Sequence, residues 1–297
     1  MQLSDIVGGT APLLADWPEE PRQWQHAPDR FDELLTMGEV NEWVDSGCLA
    51  LRNIELIEDG RVMERHEYQG RNGMPAPGRV RAHLDAGGTL SLRNLETVKP
   101  SVSALNQAIQ EETGGTVHVN AYVTPGGCQG LRYHYDPYVT LILQVHGAKT
   151  WHVHPPVQEN PTVEFGDFLQ RGFTPEEHEF LATTKPADSF TLTPGTAFWL
   201  PRGFIHAPKA ETGGTSVHLT IAIRERTRHW VAERLATEIL ALALRDPALR
   251  SVVPPAALTA GPADVVERMR AYLVGSLLQL DPAEMAELTR RAAVRPA

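Results

Sequence analysis

Between His118 and Trp151 the chain reads HVNAYVTPGGCQGLRYHYDPYVTLILQVHGAKTW, and this stretch constrains the fold more than any other. It is strand-like sequence with polar, ionisable residues set into it at every second position. In VHVNAYV, His118, Asn120 and Tyr122 alternate with Val117, Val119, Ala121 and Val123, so an extended chain puts one polar face on an otherwise apolar sheet. Further on, His134 and Asp136 stand two apart, and on an extended backbone both side chains leave from one face, as neighbouring ligands of a single metal must. Taken alone, His-x-Asp is equally consistent with a surface pair that arose by chance.

A third ligand has to come from elsewhere. PGTAFWLPRGFIHAPKA offers one, because a Pro-Gly turn, a short apolar strand and a Pro-Arg-Gly turn lead to His206. Two histidines and one carboxylate form a facial triad, which leaves metal positions open and suits non-haem Fe(II). The strand AKTWHV adds Lys149, which shares a face with Trp151 and Val153, while His152 and His154 share the other. A lysine facing an apolar interior needs an anionic partner, which a carboxylate co-substrate would supply. The other reading is a lysine that snorkels to the rim of the sheet.

Four motifs in order, NAYVTPGGCQGLRYHYD, LILQVHGAKTWHVHPP, PGTAFWLPRGFIHAP and GGTSVHLTI, resemble the JmjC-type 2-oxoglutarate oxygenases, and within them the ribosomal oxygenases, which hydroxylate ribosomal proteins. The resemblance runs from about Gly88 to Arg224. It implies a mainly β fold, with a double-stranded β-helix (jelly-roll or cupin, JmjC) core between helical flanks. It also implies that His134, Asp136 and His206 hold Fe(II) and that Lys149 binds the far carboxylate of 2-oxoglutarate, with O₂ as the oxidant. Asn120 and Tyr122 match family positions lining the pocket. His218 matches a position beside the site, and in SVHLTIAI it shares a face with Ser216 and Thr220. His218 is therefore read as a hydrogen-bonding neighbour of the ligands.

The activity this implies is hydroxylation of an amino-acid residue in a protein or peptide, with succinate and CO₂ as co-products. Hydroxylation of a small molecule or biosynthetic peptide, N-methyl demethylation and a non-catalytic metal-binding cupin stand as alternatives. The expected organisation is a helical and β flank over 1–87, the barrel over 88–225 and a C-terminal helical region over 226–297. In the family such a region often mediates dimerisation, which makes a homodimer the expectation here. The family's usual winged-helix module is not expected in this length of chain, which leaves the docking of a ribosomal partner open.

Composition narrows the partners. With a formal net charge of −10, the chain lacks the basic stripe that a nucleic-acid groove requires, while an acidic surface would steer a basic polypeptide such as a ribosomal protein. The two cysteines, Cys48 and Cys128, are far apart and fit a reducing cytoplasm with no disulfide framework. MQLSDIVGGT has neither the basic segment nor the apolar core of a signal peptide, and no apolar run is long enough to span a membrane.

Elsewhere, DRFDELLTMGEVNEWV reads as a helix from Asp29 to about Val44, capped by Asp29. CLALRNIELIEDGRVMERHEY reads as a strand pair about a DG turn, and GRNGMPAPGR as a loop. AGGTLSLRNLE is a strand, and PSVSALNQAIQEETGG a helix closed by Gly114. The long polar stretch from Pro155 to Phe190 is an insertion near the barrel mouth, and it or the 70–79 loop is a candidate lid. After Arg224 the period becomes helical. Val231, Leu235, Ile239 and Leu242 mark one helix, Asp264 opens a second, and Asp281-Pro282 opens the last.

Overall fold

The computed structural model describes residues 1–166 and 168–293. The chain forms two compact units, Met1–Glu225 and Arg226–Ala297.

The first unit begins with helices α1 (Leu3–Val7) and α2 (Ala11–Ala15), strand β1 (Arg22–Gln25) and helix α3 (Met37–Ser46). Strands β2 (Ile54–Glu58) and β3 (Arg61–Val62) form a hairpin, followed by α4 (Arg65–Tyr68), α5 (Pro77–Asp85), β4 (Thr89–Leu92) and α6 (Pro100–Thr113). Then come β5 (Thr116–Thr124), β6 (Val139–His146) and β7 (Lys149–His154), with α7 (Phe168–Arg171) and α8 (Pro175–Thr183) in the insertion. Strands β8 (Asp188–Leu192), β9 (Thr196–Leu200), β10 (Ile205–Ala210) and β11 (Ser216–Arg224) complete it.

The strands pair antiparallel in two sheets. One has eight strands in the order β1-β9-β6-β11-β5-β4-β2-β3, and the other has three, β10-β7-β8. Together they make the double-stranded β-helix that the strand pattern and the resemblance predict. Alternation along β5 and β11 divides the interior in two. Val117, Val119, Ala121 and Val123, with Val217, Leu219, Ile221 and Ile223, join Leu3, Ile6, Val40, Leu105 and Ile109 of the helices in the main core. Alternate residues on the opposite face lie between the sheets. There Ile142, Trp151, Val153 and Phe198 form a second, smaller apolar cluster, and the polar members gather in a cavity. A one-residue slip in β5 would exchange the two sets, so burial of the valines fixes the register that presents Asn120 and Tyr122 inward.

Three local readings are corrected. The helix expected from Asp29 starts at Met37, because Thr36 and Glu39 form a capping box. The Thr36 hydroxyl accepts from the Glu39 amide at 3.2 Å, and the Thr36 amide donates to the Glu39 carboxylate at 2.9 Å. Phe31, Leu34 and Leu35 are buried from a run of turns instead. The stretch read as an insertion ends in strand: β8 starts at Asp188 and pairs with β7. The 70–79 loop likewise gives way to α5 at Pro77. The DG turn forms as read, with φ +49° at Asp59 and +75° at Gly60, the left-handed pair that a two-residue hairpin needs. β1 escaped the reading altogether, since its pairing with β9 is known only once the sheet exists.

The second unit holds α9 (Arg228–Ala243), α10 (Pro255–Thr259), α11 (Ala263–Gln279) and α12 (Pro282–Ala293). Thr227 caps α9 by accepting from the Trp230 amide at 3.0 Å, and Asp281 caps α12 by accepting from the Ala283 amide at 2.7 Å. Asp264 lies inside the first turn of α11, whose cap position is Pro262. The short α10 lies between α9 and α11. No helix among the described residues is long and apolar enough to cross a membrane.

Candidate metal and co-substrate site

His134, Asp136 and His206 converge as the spacing requires. Each offers a ligand atom, and these atoms all lie within 4.8 Å of one another. His134 and His206 form an antiparallel bridge, His134 donating to the His206 carbonyl at 3.1 Å and His206 to that of His134 at 2.8 Å. A second bridge, Gln129 to Lys209, makes the 129–136 segment an extra rim beside β10. The Gly203 amide donates to the Asp136 carbonyl at 2.9 Å, tying the Pro-Arg-Gly turn to the same segment.

Both imidazoles are oriented by the same device. The His134 Nδ1 lies 2.7 Å from the Arg132 carbonyl, and the His206 Nδ1 lies 2.9 Å from that of Phe204. A carbonyl only accepts, so each Nδ1 carries the proton and each Nε2 keeps its lone pair for a metal. Burial, with His134 beside it, holds the His206 imidazole well below its ordinary pKa, so it is neutral. Two imidazole nitrogens and a carboxylate are the donor set that suits Fe(II) and leaves open positions. The His206 Nε2 is 3.9 Å from the Asp136 carboxylate.

Lys149 is 1% exposed, and its Nζ donates to the Thr124 hydroxyl at 2.8 Å. No carboxylate among the described residues pairs with it, and burial alone pulls its ammonium down to about 7. Of the two readings, the inward lysine is the one the fold adopts; the snorkelling one is excluded by its burial. It lines the same cavity, of about 260 Å³, as His134, Asp136 and His206. Asn120, Tyr122, His218 and Thr220 line it too, so all eight residues singled out from the sequence meet at one place.

Their roles in the wall differ. Asn120 accepts from the Asn94 amide at 3.0 Å, pinning a residue with φ +53° at the end of β4. Tyr122 stacks on His218 with ring centroids 5.3 Å apart, and Trp151 meets the same imidazole edge-on. The register pairs Thr220 with Asn120 and His218 with Tyr122. Burial first, then the Lys149 charge, keeps His218 well below its usual pKa, and its buried Nδ1 has no hydrogen-bond partner among the described residues. His118, on the same strand face, is not in the cavity wall; it lies 3.4 Å from Glu96.

Several lining residues were not foreseen. Nor was Thr124, which holds Lys149 without lining the cavity itself; it continues the period-two face of Asn120 and Tyr122, which could have revealed it. Glu55 of β2 and Arg93, 3.5 Å apart as an ion pair, and Tyr138, whose hydroxyl is pushed up by the Asp136 carboxylate and by burial, carry no such signal. They reach the cavity through sheet order. None of the described residues of the Pro155–Phe190 stretch or of the 70–79 loop lines the cavity.

The fold and site define a cupin-type barrel with an inward His/Asp/His set and a buried lysine. More particularly, residues 92–230 match the family model described as the JmjC domain, and the chain is similar to ribosomal oxygenases. It is 30% identical over 190 residues to ribosomal oxygenase 2 of Rattus norvegicus, covering 62% of this chain and 38% of that one. It is 28% identical over 214 residues to the bifunctional lysine-specific demethylase and histidyl-hydroxylase NO66 of Culex quinquefasciatus, covering 71% and 31%. The chain thus spans well under half the length of these curated relatives. In fold it is similar to YcfD, a ribosomal oxygenase from Escherichia coli solved with cobalt and 2-oxoglutarate. That match has a TM-score of 0.52 and 15% identity, over 95% of this chain and 70% of that one.

Proposed function

We propose that this chain is an Fe(II)- and 2-oxoglutarate-dependent oxygenase that hydroxylates an amino-acid residue of a protein, of the ribosomal-protein type, or of a peptide. The observation that carries the reading is Lys149, a buried ammonium without an anion, in one cavity with three convergent metal-ligand side chains. A barrel that only bound metal would have no use for such a costly cation.

His134, Asp136 and His206 would hold the iron through two Nε2 atoms and one carboxylate. The bound iron would supply activation of O₂, with 2-oxoglutarate oxidised to succinate and CO₂ and one oxygen atom passed to a substrate C–H bond. The chain's own part is binding, orientation and exclusion of water. Lys149 holds the far carboxylate of 2-oxoglutarate by a charge-assisted hydrogen bond, and Thr124 keeps the ammonium aimed. Trp151 and the Tyr122–His218 stack wall the cavity against water. Glu55, Arg93 and Tyr138 add to its polar wall, where a substrate side chain would be met.

Support for a ribosomal substrate comes from the relatives' names and from the net charge of −10, which suits a basic polypeptide and not a nucleic acid. A homodimer through the C-terminal helices is part of the same proposal. No residue of α11 is buried, although Val266, Leu273, Val274, Leu277 and Leu278 make much of its surface apolar.

The test is succinate formation by anaerobically loaded Fe(II) protein given 2-oxoglutarate and O₂, with and without ribosomes. Turnover stimulated by ribosomes is expected. Turnover that ribosomes leave unchanged would move the substrate to a peptide or small molecule, and none at all with metal bound would leave a non-catalytic cupin.

A further inference from the structure

The described residues of the stretch between β7 and β8 do not line the cavity, yet they are fastened to the residue between the first two metal-ligand side chains. Tyr135 is 1% exposed and does not line the cavity, its ring lying against Phe168 and Phe173. Its hydroxyl donates to the Gly166 carbonyl at 2.7 Å and accepts from Arg171 Nη2. Arg171 in turn grips Glu177 with both arms, at 2.9 and 3.0 Å. Glu177, itself 1% exposed, closes the capping box of α8 by accepting from the Thr174 amide at 2.7 Å. The Arg171 guanidinium holds this carboxyl below its usual range despite the burial that opposes it. Phe168 packs 5.7 Å from the Tyr135 ring and 6.4 Å from that of His134.

The same stretch also meets the third ligand's approach. Gly203, with φ +83°, donates to the Asp136 carbonyl, and a Cβ there would come within 3.1 Å of Pro161 and 3.3 Å of Pro156. Arg202 donates to Asn160 at 3.1 Å. One segment therefore spans both ligand-bearing turns from outside the barrel.

Resting on the metal reading above, we infer that the segment between β7 and β8 is a clamp that sets the separation of the two ligand-bearing turns, and that Tyr135, held by the Arg171–Glu177 pair, is its positioning residue. The physical reason is directional. His134 and Asp136 leave one side of an extended backbone and Tyr135 the other, so fixing the Tyr135 hydroxyl fixes the rotation of that backbone. With the rotation fixed, His134 and Asp136 are presented together. A bidentate guanidinium–carboxylate pair in a buried setting holds the anchor in one geometry. The three bonds that Arg171 makes, one to Tyr135 and two to Glu177, form one network, so loss of any member loosens the others.

The test is Co(II) titration of the full chain, followed by the visible ligand-field spectrum. Tyr135→Phe and Arg171→Met should each weaken Co(II) binding about tenfold or more, the scale of lost outer-sphere support, and should change the spectrum, while Arg171→Lys recovers part of both. A purely structural role would lower the melting temperature and leave affinity and spectrum as in the wild type, which would overturn the inference. Should the variants fail to fold, the wild type answers alone. Coupling is reciprocal, so Co(II) must slow amide hydrogen exchange in α7 and α8; unchanged exchange with cobalt bound would overturn it equally. A wild type that binds no Co(II) would instead sink the metal reading itself.

Discussion

His134 and His206 hydrogen-bond to each other's main chain in both directions, and their imidazole centroids stand 4.2 Å apart. Two residues from distant parts of the sequence, His206 on β10 and His134 on the 129–136 segment, are thus a directly opposed bridge pair, which brings their ligand atoms within 4.8 Å of each other. Replacing either ligand with alanine opens the triad. His134→Ala and Asp136→Ala should each abolish succinate formation with the circular dichroism unchanged; full turnover in either would remove that residue from the metal.

Lys149 is expected to act on the co-substrate and not on the metal. Lys149→Met should raise the 2-oxoglutarate concentration needed for half-maximal turnover by tenfold or more, because a charge-assisted bond is lost. Co(II) affinity should stay as in the wild type. An unchanged response to 2-oxoglutarate would place its far carboxylate elsewhere.

The same lysine makes stability depend on pH. Its ammonium is pulled from 10.5 to about 7 by burial, so between those values the unfolded chain binds more protons than the folded one. Stability without co-substrate therefore rises with pH across that window, and below it the full penalty, of the order of a few kcal/mol, is present. Lys149→Met should be more stable than the wild type at pH 6 and should lack the rise, as denaturant midpoints taken from pH 6 to 10 would reveal.

Binding of 2-oxoglutarate runs the opposite way, since its carboxylate needs the charged form. Affinity should fall as pH rises above about 7, with proton uptake on binding at pH 8. Calorimetry in buffers of different ionisation enthalpy measures that uptake, and none would mean that Lys149 is already charged or is not the partner.

Thr124→Val removes the hydroxyl that accepts from the Lys149 ammonium and leaves the volume nearly unchanged. A severalfold loss of 2-oxoglutarate affinity is expected, smaller than for Lys149→Met, with metal binding intact. Equal losses in the two variants would show that Thr124 does more than aim the lysine.

Thr36→Ala tests the corrected helix start. Loss of the capping box of α3 should cost about 1 kcal/mol in equilibrium unfolding, whereas Asp29→Ala, outside the helix, should cost much less. The reverse order would restore a helix beginning at Asp29.

Much of the barrel was legible because a β-strand repeats every two residues. The valines of β5 and the aliphatics of β11 must be buried, and that alone turns Asn120, Tyr122, His218 and Thr220 to the other face. The same alternation placed His134 beside Asp136 and turned Lys149 inward with Trp151. The edge strand β1 and the true start of α3 were missed for different reasons. An edge strand takes its pairing from a partner far along the chain, and Thr36-x-x-Glu39 outweighed Asp29 as a cap.

By itself, then, the sequence determined which side chains share a face, since that depends only on backbone period and on burial of the apolar alternates. Tertiary structure decided which faces meet. Sheet order brought Glu55, Arg93 and Tyr138 into the cavity from separate elements, and the fold closed β10 against the 129–136 segment so that His206 completes the set. It also turned a polar stretch expected at the mouth into a brace behind the ligands. Those outcomes depend on non-local pairing, in which neighbours in space carry no mark of one another in the local pattern.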